Sequence, residues 1–375
     1  MSTKRKVVIF YPHIGEYGGI ERNIIALSIE ALNKGYTPVL LCFYDHIHMH
    51  TYVEGLEVIV LGDHWSPFKK GAMVSAWFKK NAQTFEGLPL FFGGKAGFYA
   101  ALAKVNPYAL HYTDPPSLVK DVTSSALKKT FMYPRKLVSD YILTQGVVHA
   151  QMLITMTKRN AVELESVYGK KFEVVYQGGV PISTAINTSQ RCNTSTLRLF
   201  SICRLNASKK LHWIIEAGKY IKTTTVFAAN FTALEIVIAG KGPALEELKN
   251  KAEALEMQHE VSFPGFVSSE ELENEYSKAD LFMVPGIQGY GLPVLEALYR
   301  HVPVILNRES RISEILENNS WVSISNDTST SYTKALENYL QKMKQEYPLQ
   351  VDLLTLPTET QWADALGKTC GWWNN

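Results

Sequence analysis

Short apolar runs alternate with glycine turns and stretches of helical spacing along most of the chain, and this rhythm does most to restrict the fold. Val7–Tyr11 is a strand-like run. After Gly18-Gly19, the apolar positions Ile20, Ile24, Leu27 and Ala31 recur at helical spacing and stop before Gly35. Pro38–Tyr44, Leu56–Leu61, Pro89–Phe92, Ala109–Thr113, Met152–Met156 and Glu173–Tyr176 read as further strands, with a helix over Lys95–Val105. Strands that are apolar on both faces and separated by helices call for an α/β fold, a parallel sheet covered on both sides.

The rhythm pauses at Ser183–Thr196, a stretch rich in Ser, Thr and Asn, and then restarts. Leu197–Cys203, Leu234–Ala239, Val261–Phe263, Leu281–Val284 and Val302–Leu306 read as strands. Helices are expected at Leu211–Ile221, after Gly240-Lys241-Gly242-Pro243 to about Glu256, at Glu270–Lys278 and at Pro293–Arg300. This predicts one α/β domain over residues 1–182, a linker over 183–196 and a second α/β domain over 197–356. A final helix, Thr358–Gly371, within 357–375 is expected to pack back on the first domain. Open sheets of this kind bind ligands outside the carboxyl ends of their strands.

Composition narrows the class. No apolar stretch approaches the length of a membrane span, and the basic N-terminus with its short apolar run reads as a first strand, not a signal peptide. Cys42, Cys192, Cys203 and Cys370 show no metal-ligand spacing and suit a reducing cytosol. No metal and no nucleic-acid partner are expected. Residues 1–190 hold 20 Lys and Arg against 14 Asp and Glu, leaving 18 against 22 in the remainder. A basic first half suggests an anionic partner.

Four places carry chemistry. In GYGLPVLEALYR, Gly289 and Gly291 make a turn and Pro293 suits a first helical turn, so amides around Tyr290, Gly291 and Leu292 point out of a helix start. Glu296 lies one turn inside. Arg204 and Lys209, in SICRLNASKKLHW, follow a strand and can neutralise a diphosphate. Gly18 and Gly19 open a helix where backbone can approach a phosphate. His111 and Thr113 share one face of a strand, beside Asp114. Each has a plainer reading as well: a packed turn, solvated charges, a buried structural histidine.

Together these segments resemble the retaining GT-B glycosyltransferases of glycosyltransferase family 4, the group 1 glycosyltransferases, over nearly the whole chain. The matching motifs are GGIER, ICRLNASKK, IVIAGKGP, VSFPGFVSSEEL with ADLFMVP, and GYGLPVLEAL. The resemblance implies two Rossmann-like domains facing a central cleft, the first binding an acceptor and the second a nucleotide sugar. It implies that Gly18, Gly19 and Gly240 lie against the donor and that Arg204 and Lys209 hold its phosphates. Phe266 and Val267 would line the base, and Glu296 would hold the ribose. The amides of Gly289, Tyr290, Gly291 and Leu292 would meet the sugar and distal phosphate.

Two departures stand out. The family's first glutamate is Gln288 here, which keeps an acceptor, adds donors and loses the charge. Thr113 replaces a histidine, for which His111 is a candidate substitute. Lys210 also takes the place of a common glycine. Gln288, His111 and Thr113 therefore join the candidate catalytic residues. The implied activity is a metal-independent, retaining sugar transfer in surface polysaccharide biosynthesis, with the nucleotide diphosphate sugar as co-substrate and no further cofactor. The acceptor is a glycan or a lipid-linked glycan. Trp65, Phe68, Trp77 and Phe78 interleave with Lys69, Lys70, Lys79 and Lys80, and Lys128, Lys129, Arg135 and Lys136 follow. That pattern suits a peripheral site on the inner, anionic membrane face, or an ordinary basic surface. A nucleotide-sugar epimerase or hydrolase and a catalytically weak binding subunit remain as alternatives. A nicotinamide oxidoreductase lacks its GxGxxG turn.

Overall fold

A computed structural model describes residues 5–113, 126–181, 195–343 and 356–373, with the backbone alone for 126–135. Most of the expected linker, Asp114, Cys192 and the side chains of Lys128, Lys129 and Arg135 lie outside the described residues. The chain divides into two compact units, Met1–Gly178 with Pro357–Asn375, and Gly179–Leu356.

The first unit holds a parallel seven-stranded sheet. Its strands are β1 (Lys6–Phe10), β3 (Thr37–Cys42), β5 (Glu57–Val60), β6 (Leu90–Phe92), β7 (Ala109–His111), β8 (Met152–Thr155) and β9 (Glu173–Val174), in the order β5-β3-β1-β6-β7-β8-β9. β1 is buried along nearly its whole length because helices cover both faces. Val7 and Ile9 pack on one face with helix α1 (Gly19–Asn33) and the C-terminal helix Glu359–Thr369. Val8 and Phe10 pack on the other, with α2 (Pro67–Asn81) and α3 (Gly94–Ala103). Beyond the main sheet, β2 (His13–Ile14) pairs in parallel with β4 (Tyr44–Asp45).

The C-terminal helix starts with a capping box, Thr358 and Gln361. It is tied to α1 by Arg22 Nε to Glu359 Oε1 at 3.0 Å and Lys34 Nζ to Asp364 Oδ1 at 2.9 Å. Trp362 and Trp372 are fully buried, and the indole N–H of Trp372 donates to the Leu88 carbonyl at 2.8 Å. Truncating such a residue typically costs about 3–5 kcal/mol.

The second unit holds a parallel six-stranded sheet. Its strands are β10 (Thr196–Ile202), β11 (Ala233–Ala239), β12 (Val261–Ser262), β13 (Leu281–Val284), β14 (Val304–Asn307) and β15 (Val322–Ser325), in the order β12-β11-β10-β13-β14-β15. The chain leaves β10 toward β11 on one side and returns to β13 on the other. The topological switch point therefore falls between β10 and β13. Among the described residues no helix is long and apolar enough to cross a membrane.

Candidate active site

At this switch point lies a cavity of about 210 Å³. The end of β10 supplies Ser201 to Arg204, β13 supplies Phe282 and Val284, and the following loop and helix supply Gln288, Gly291, Pro293 and Val294, with Lys209 closing the set. Arg204, Lys209, Gln288 and Gly291, expected from sequence to act together, thus converge on one space.

Glycines shape the loops that carry them. Gly240 has φ +125°, and a Cβ there would sit 1.9 Å from the Cys203 carbonyl oxygen. Such an approach is open only to glycine. The Leu205 amide then donates to the Lys241 carbonyl at 2.9 Å, which fixes Arg204 between two anchored neighbours. Gly240 itself donates to the Gly265 carbonyl at 2.7 Å and so ties the Arg204 loop to the loop of Phe266. Gly240 was expected at a substrate, and the structure gives it this backbone-packing part. Gly286, φ +88°, does the same on the other side, where a Cβ would lie 2.5 Å from the Ser208 carbonyl. The Ile287 amide donates to that carbonyl at 3.0 Å.

Lys209 Nζ donates to the Ile287 carbonyl and to Gln288 Oε1, each at 2.7 Å. An ammonium only donates, so the amide oxygen of Gln288 must face Lys209 and its NH₂ must face away. Lys210 adopts φ +50°, the conformation a glycine would take without strain. It is held by an ion pair to Glu309 and lies 4.7 Å over the Trp213 ring. Asn307 Nδ2 donates to the same Glu309 at 3.1 Å. Cys203, in the cavity lining, is half-buried, and desolvation pushes its thiol up to about 11 and keeps it protonated near neutral pH.

The helix Leu292–Tyr299 begins at Gly291, with Pro293 in its first turn. Gly291, Pro293 and Val294 line the cavity; Pro293 has no N–H and the Val294 amide donates to the Gly291 carbonyl at 2.9 Å, which leaves the amides of Gly291 and Leu292 as the donors of this helix start. Tyr290 is buried and Gly289 half-buried, so these two residues contribute to the turn itself. Glu296 lies one turn further along, outside the cavity lining. The fully buried Tyr276 hydroxyl donates to Glu296 Oε2 at 3.2 Å and lies 3.3 Å from the Pro293 carbonyl. Burial and the Glu296 charge hold that hydroxyl well above its ordinary pKa. Arg300 stacks on the same ring at 5.0 Å. Sequence reasoning missed Tyr276. Its only signal is an apolar-facing position on a helix opened by the Ser268–Glu271 capping box.

Phe266 is 73% exposed, with the Lys241 ammonium 5.8 Å over its ring, and Val267 is half-buried beside it. A large ring held in solvent by a tethered loop, with a cation over it, can serve as a stacking platform.

The remaining candidates belong to the first unit. Gly18 and Gly19 form an exposed start to α1, and the Arg22 amide returns to the Gly18 carbonyl at 3.1 Å. His111 departs from the expectation of a residue presented to a ligand. It is wholly buried, stacked 4.5 Å from Phe92 and edge-on to Trp362 at 6.4 Å. Neither ring nitrogen has a hydrogen-bond partner among the described residues. Burial pushes its pKa down to about 3, so the ring is neutral. Thr113 is also buried, and its carbonyl lies 3.5 Å from Asn160 Nδ2. The basic and aromatic segment divides in the same way. Trp65 and Phe68 are 89% and 65% exposed and Lys69, Lys79, Lys80 and Lys136 are exposed. Trp77 is half-buried, whereas Phe78 and Lys70 face inward.

Comparison with known proteins falls on the same segment. Residues 184–349 match the family of glycosyl transferases group 1. The putative colanic acid biosynthesis glycosyltransferase WcaL of Salmonella typhimurium is 30% identical over 158 residues, which cover 40% of this chain and 37% of that protein. The chain spans 33 to 49% of the length of three curated relatives that it matches. Among solved structures, the apo form of the lipopolysaccharide outer core galactosyltransferase WaaB superimposes with a TM-score of 0.70 at 12% identity, covering 97% of this chain and 98% of that one. Anabaena HepE in complex with UDP-glucose gives 0.62 at 17% identity, covering 98% and 95%. These likenesses show the fold: GT-B, with two Rossmann-like units.

Proposed function

We propose that the chain is a retaining glycosyltransferase that moves a sugar from a GDP- or UDP-linked donor to a glycan or lipid-linked acceptor in surface polysaccharide biosynthesis. The observation that carries this reading is the convergence of Arg204, Lys209, Gln288 and an open helix start on one cavity at the switch point of the second sheet. The match of that segment to group 1 glycosyl transferases supports it.

In the proposed reaction the bond between the sugar's anomeric carbon and the distal phosphate oxygen breaks, and a bond to the acceptor hydroxyl forms on the same face. The hydroxyl proton passes to the departing phosphate oxygen, so the protein need supply no separate base. Arg204, Lys209 and the amides at Gly291 and Leu292 stabilise the charge gathering on the diphosphate without a metal. Preorganised donors of this kind are each worth about 10²–10³ in rate. Glu296, steadied by Tyr276, takes the ribose hydroxyls, and Phe266 with Val267 takes the base. Gln288 meets the donor sugar through its outward NH₂. Trp65, Phe68 and the exposed lysines beside them rest the protein on an anionic membrane surface.

The test is thermal stabilisation by GDP-, UDP- and ADP-sugars, followed by turnover with lipid-linked acceptors. A ligand at 100 times its Kd stabilises by about 2.7 kcal/mol. A melting temperature that no sugar nucleotide moves would sink the proposal.

A further inference from the structure

The first unit has a switch point of its own. β1 and β6 are neighbours, and the chain leaves them in opposite directions, toward β3 and β5 on one side and β7 to β9 on the other. Open α/β sheets take ligands outside the strand ends at such a point. Here His13 follows β1, Lys95 opens α3 after β6, and Lys70 reaches in from α2.

Lys70 is nine-tenths buried, an expensive place for an ammonium unless it is paired. Its Nζ lies 3.3 Å from His13 Nε2, against Asp63 Oδ1, and 5.0 Å over the Phe43 ring. Because an ammonium only donates, His13 Nε2 accepts and the imidazole is neutral, with its proton on Nδ1. Burial, then the charges of Lys70 and Lys95, hold the His13 pKa low. Beyond His13 and Asp63 the Lys70 ammonium meets only the Phe43 face among the described residues, and Lys95, exposed, has no ion pair among them. Asp63, the one carboxylate on Lys70, is 56% exposed at its side chain. A buried cation is thus balanced by a carboxylate that solvent can reach and another anion can replace.

Beside this charge stands a flat aromatic pile. His13 is the register partner of Tyr44 across β2 and β4 and stacks on it at 5.2 Å and 18°. Tyr44 in turn stacks on His46 at 4.4 Å and 21°. Such a pile offers a face to the C–H side of a sugar ring.

We infer that this cluster binds a saccharide bearing a phosphate or a carboxylate, with Lys70 and Lys95 on the anionic group and the His13–Tyr44–His46 pile under the ring. Calling that saccharide the acceptor rests on the glycosyltransferase reading; the binding itself does not.

Calorimetric titration of the full chain with glucose 6-phosphate, glucuronate and glucose tests it. At least one anionic sugar should bind ten times or more tightly than glucose, and the two anionic arms separate phosphate from carboxylate. Asp63→Asn removes the competing carboxylate and should tighten the anionic sugar several-fold. Lys95→Ala should weaken it several-fold, and Lys70→Met should abolish the preference. If Lys70→Met does not fold, the other two variants still decide. No preference for an anionic sugar, or an Asp63→Asn chain that binds it no better, overturns the inference. Parallel UDP and GDP titrations, with Arg204→Ala as their control, keep the two readings apart. Binding of either nucleotide that needs Arg204, alongside no anion preference, defeats this inference alone, and absent binding of both defeats the transferase reading.

Discussion

Replacing His111 by leucine should flatten the acid limb of the first unit's stability. In the unfolded chain the ring takes a proton near the ordinary 6.5, whereas burial between Phe92 and Trp362 delays this to about 3 in the folded unit. Between those values the unfolded state binds more protons, so stability falls as pH falls. Little is lost at pH 7. At pH 5, about 1.5 units below the unfolded value, the loss is about 2 kcal/mol at 1.36 kcal/mol per unit. His111→Leu removes the titration and leaves no orphaned ring nitrogens, each an expense of about 1–3 kcal/mol when buried. We expect the variant to equal or exceed the parent at pH 7 and to gain a further 2 kcal/mol or so on it by pH 5. Urea unfolding at pH 7, 6 and 5, followed by tryptophan fluorescence, measures the difference. Parallel pH profiles for the two chains would refute the linkage. Turnover at pH 7 gives a second reading, because a loss of orders of magnitude would put this ring in the chemistry despite its enclosure.

Gly240→Ala should lower nucleotide affinity at least tenfold and depress the melting temperature, since its Cβ would meet the Cys203 carbonyl and displace the Arg204 loop; unchanged UDP titrations would deny that coupling. Phe266→Ala should weaken nucleotide binding by about 1–3 kcal/mol if the exposed ring stacks on the base, and equal affinity for parent and variant would remove it from the site. Lys209→Met should reduce kcat about 10²-fold or more while Gln288→Ala does less; the reverse order would count against the assigned roles. Tyr276→Phe should raise the donor KM several-fold with little change in kcat, because the hydroxyl reaches the donor through Glu296.

The strand skeleton was legible because fully buried parallel strands leave uninterrupted apolar runs, as in Val7–Tyr11 and Leu281–Val284. Amphipathic helices with scattered or charged faces were not. Pro67–Asn81 carries two Lys-Lys pairs, and its inward set, Gly71, Val74 and Phe78 with Lys70 among them, does not look like a core stripe. Lys158–Tyr168 is obscured in the same way, with Asn160 among its buried residues, although Thr157 caps it through the Asn160 amide; Ser329–Met343, by contrast, carries a regular stripe of Tyr332, Leu336, Tyr339, Leu340 and Met343 that sequence reasoning overlooked. Within the second unit, Arg204, Lys209, Gln288 and Gly291 were legible as a group because motif and turn chemistry place them at strand ends. What sequence could not separate was exposure. Lys70 and Lys69 are adjacent lysines, yet one is buried against His13 and the other solvated. Tyr276 likewise reaches Glu296 only through the packing of two helices on either side of β13.

The C-terminal helix sets an order for biosynthesis. The sheet face bearing Val7 and Ile9 is made before the second unit, and it is covered in part by Trp362, Leu366 and Trp372, made after that unit. The second unit is one continuous segment, Gly179–Leu356, and can close its own core as soon as it is synthesised. The first unit must wait, its apolar face open, until the Glu359–Thr369 helix and Trp372 emerge. A chain arrested near residue 356 would therefore hold one finished unit and one unfinished, a distinction that limited proteolysis of stalled chains would reveal.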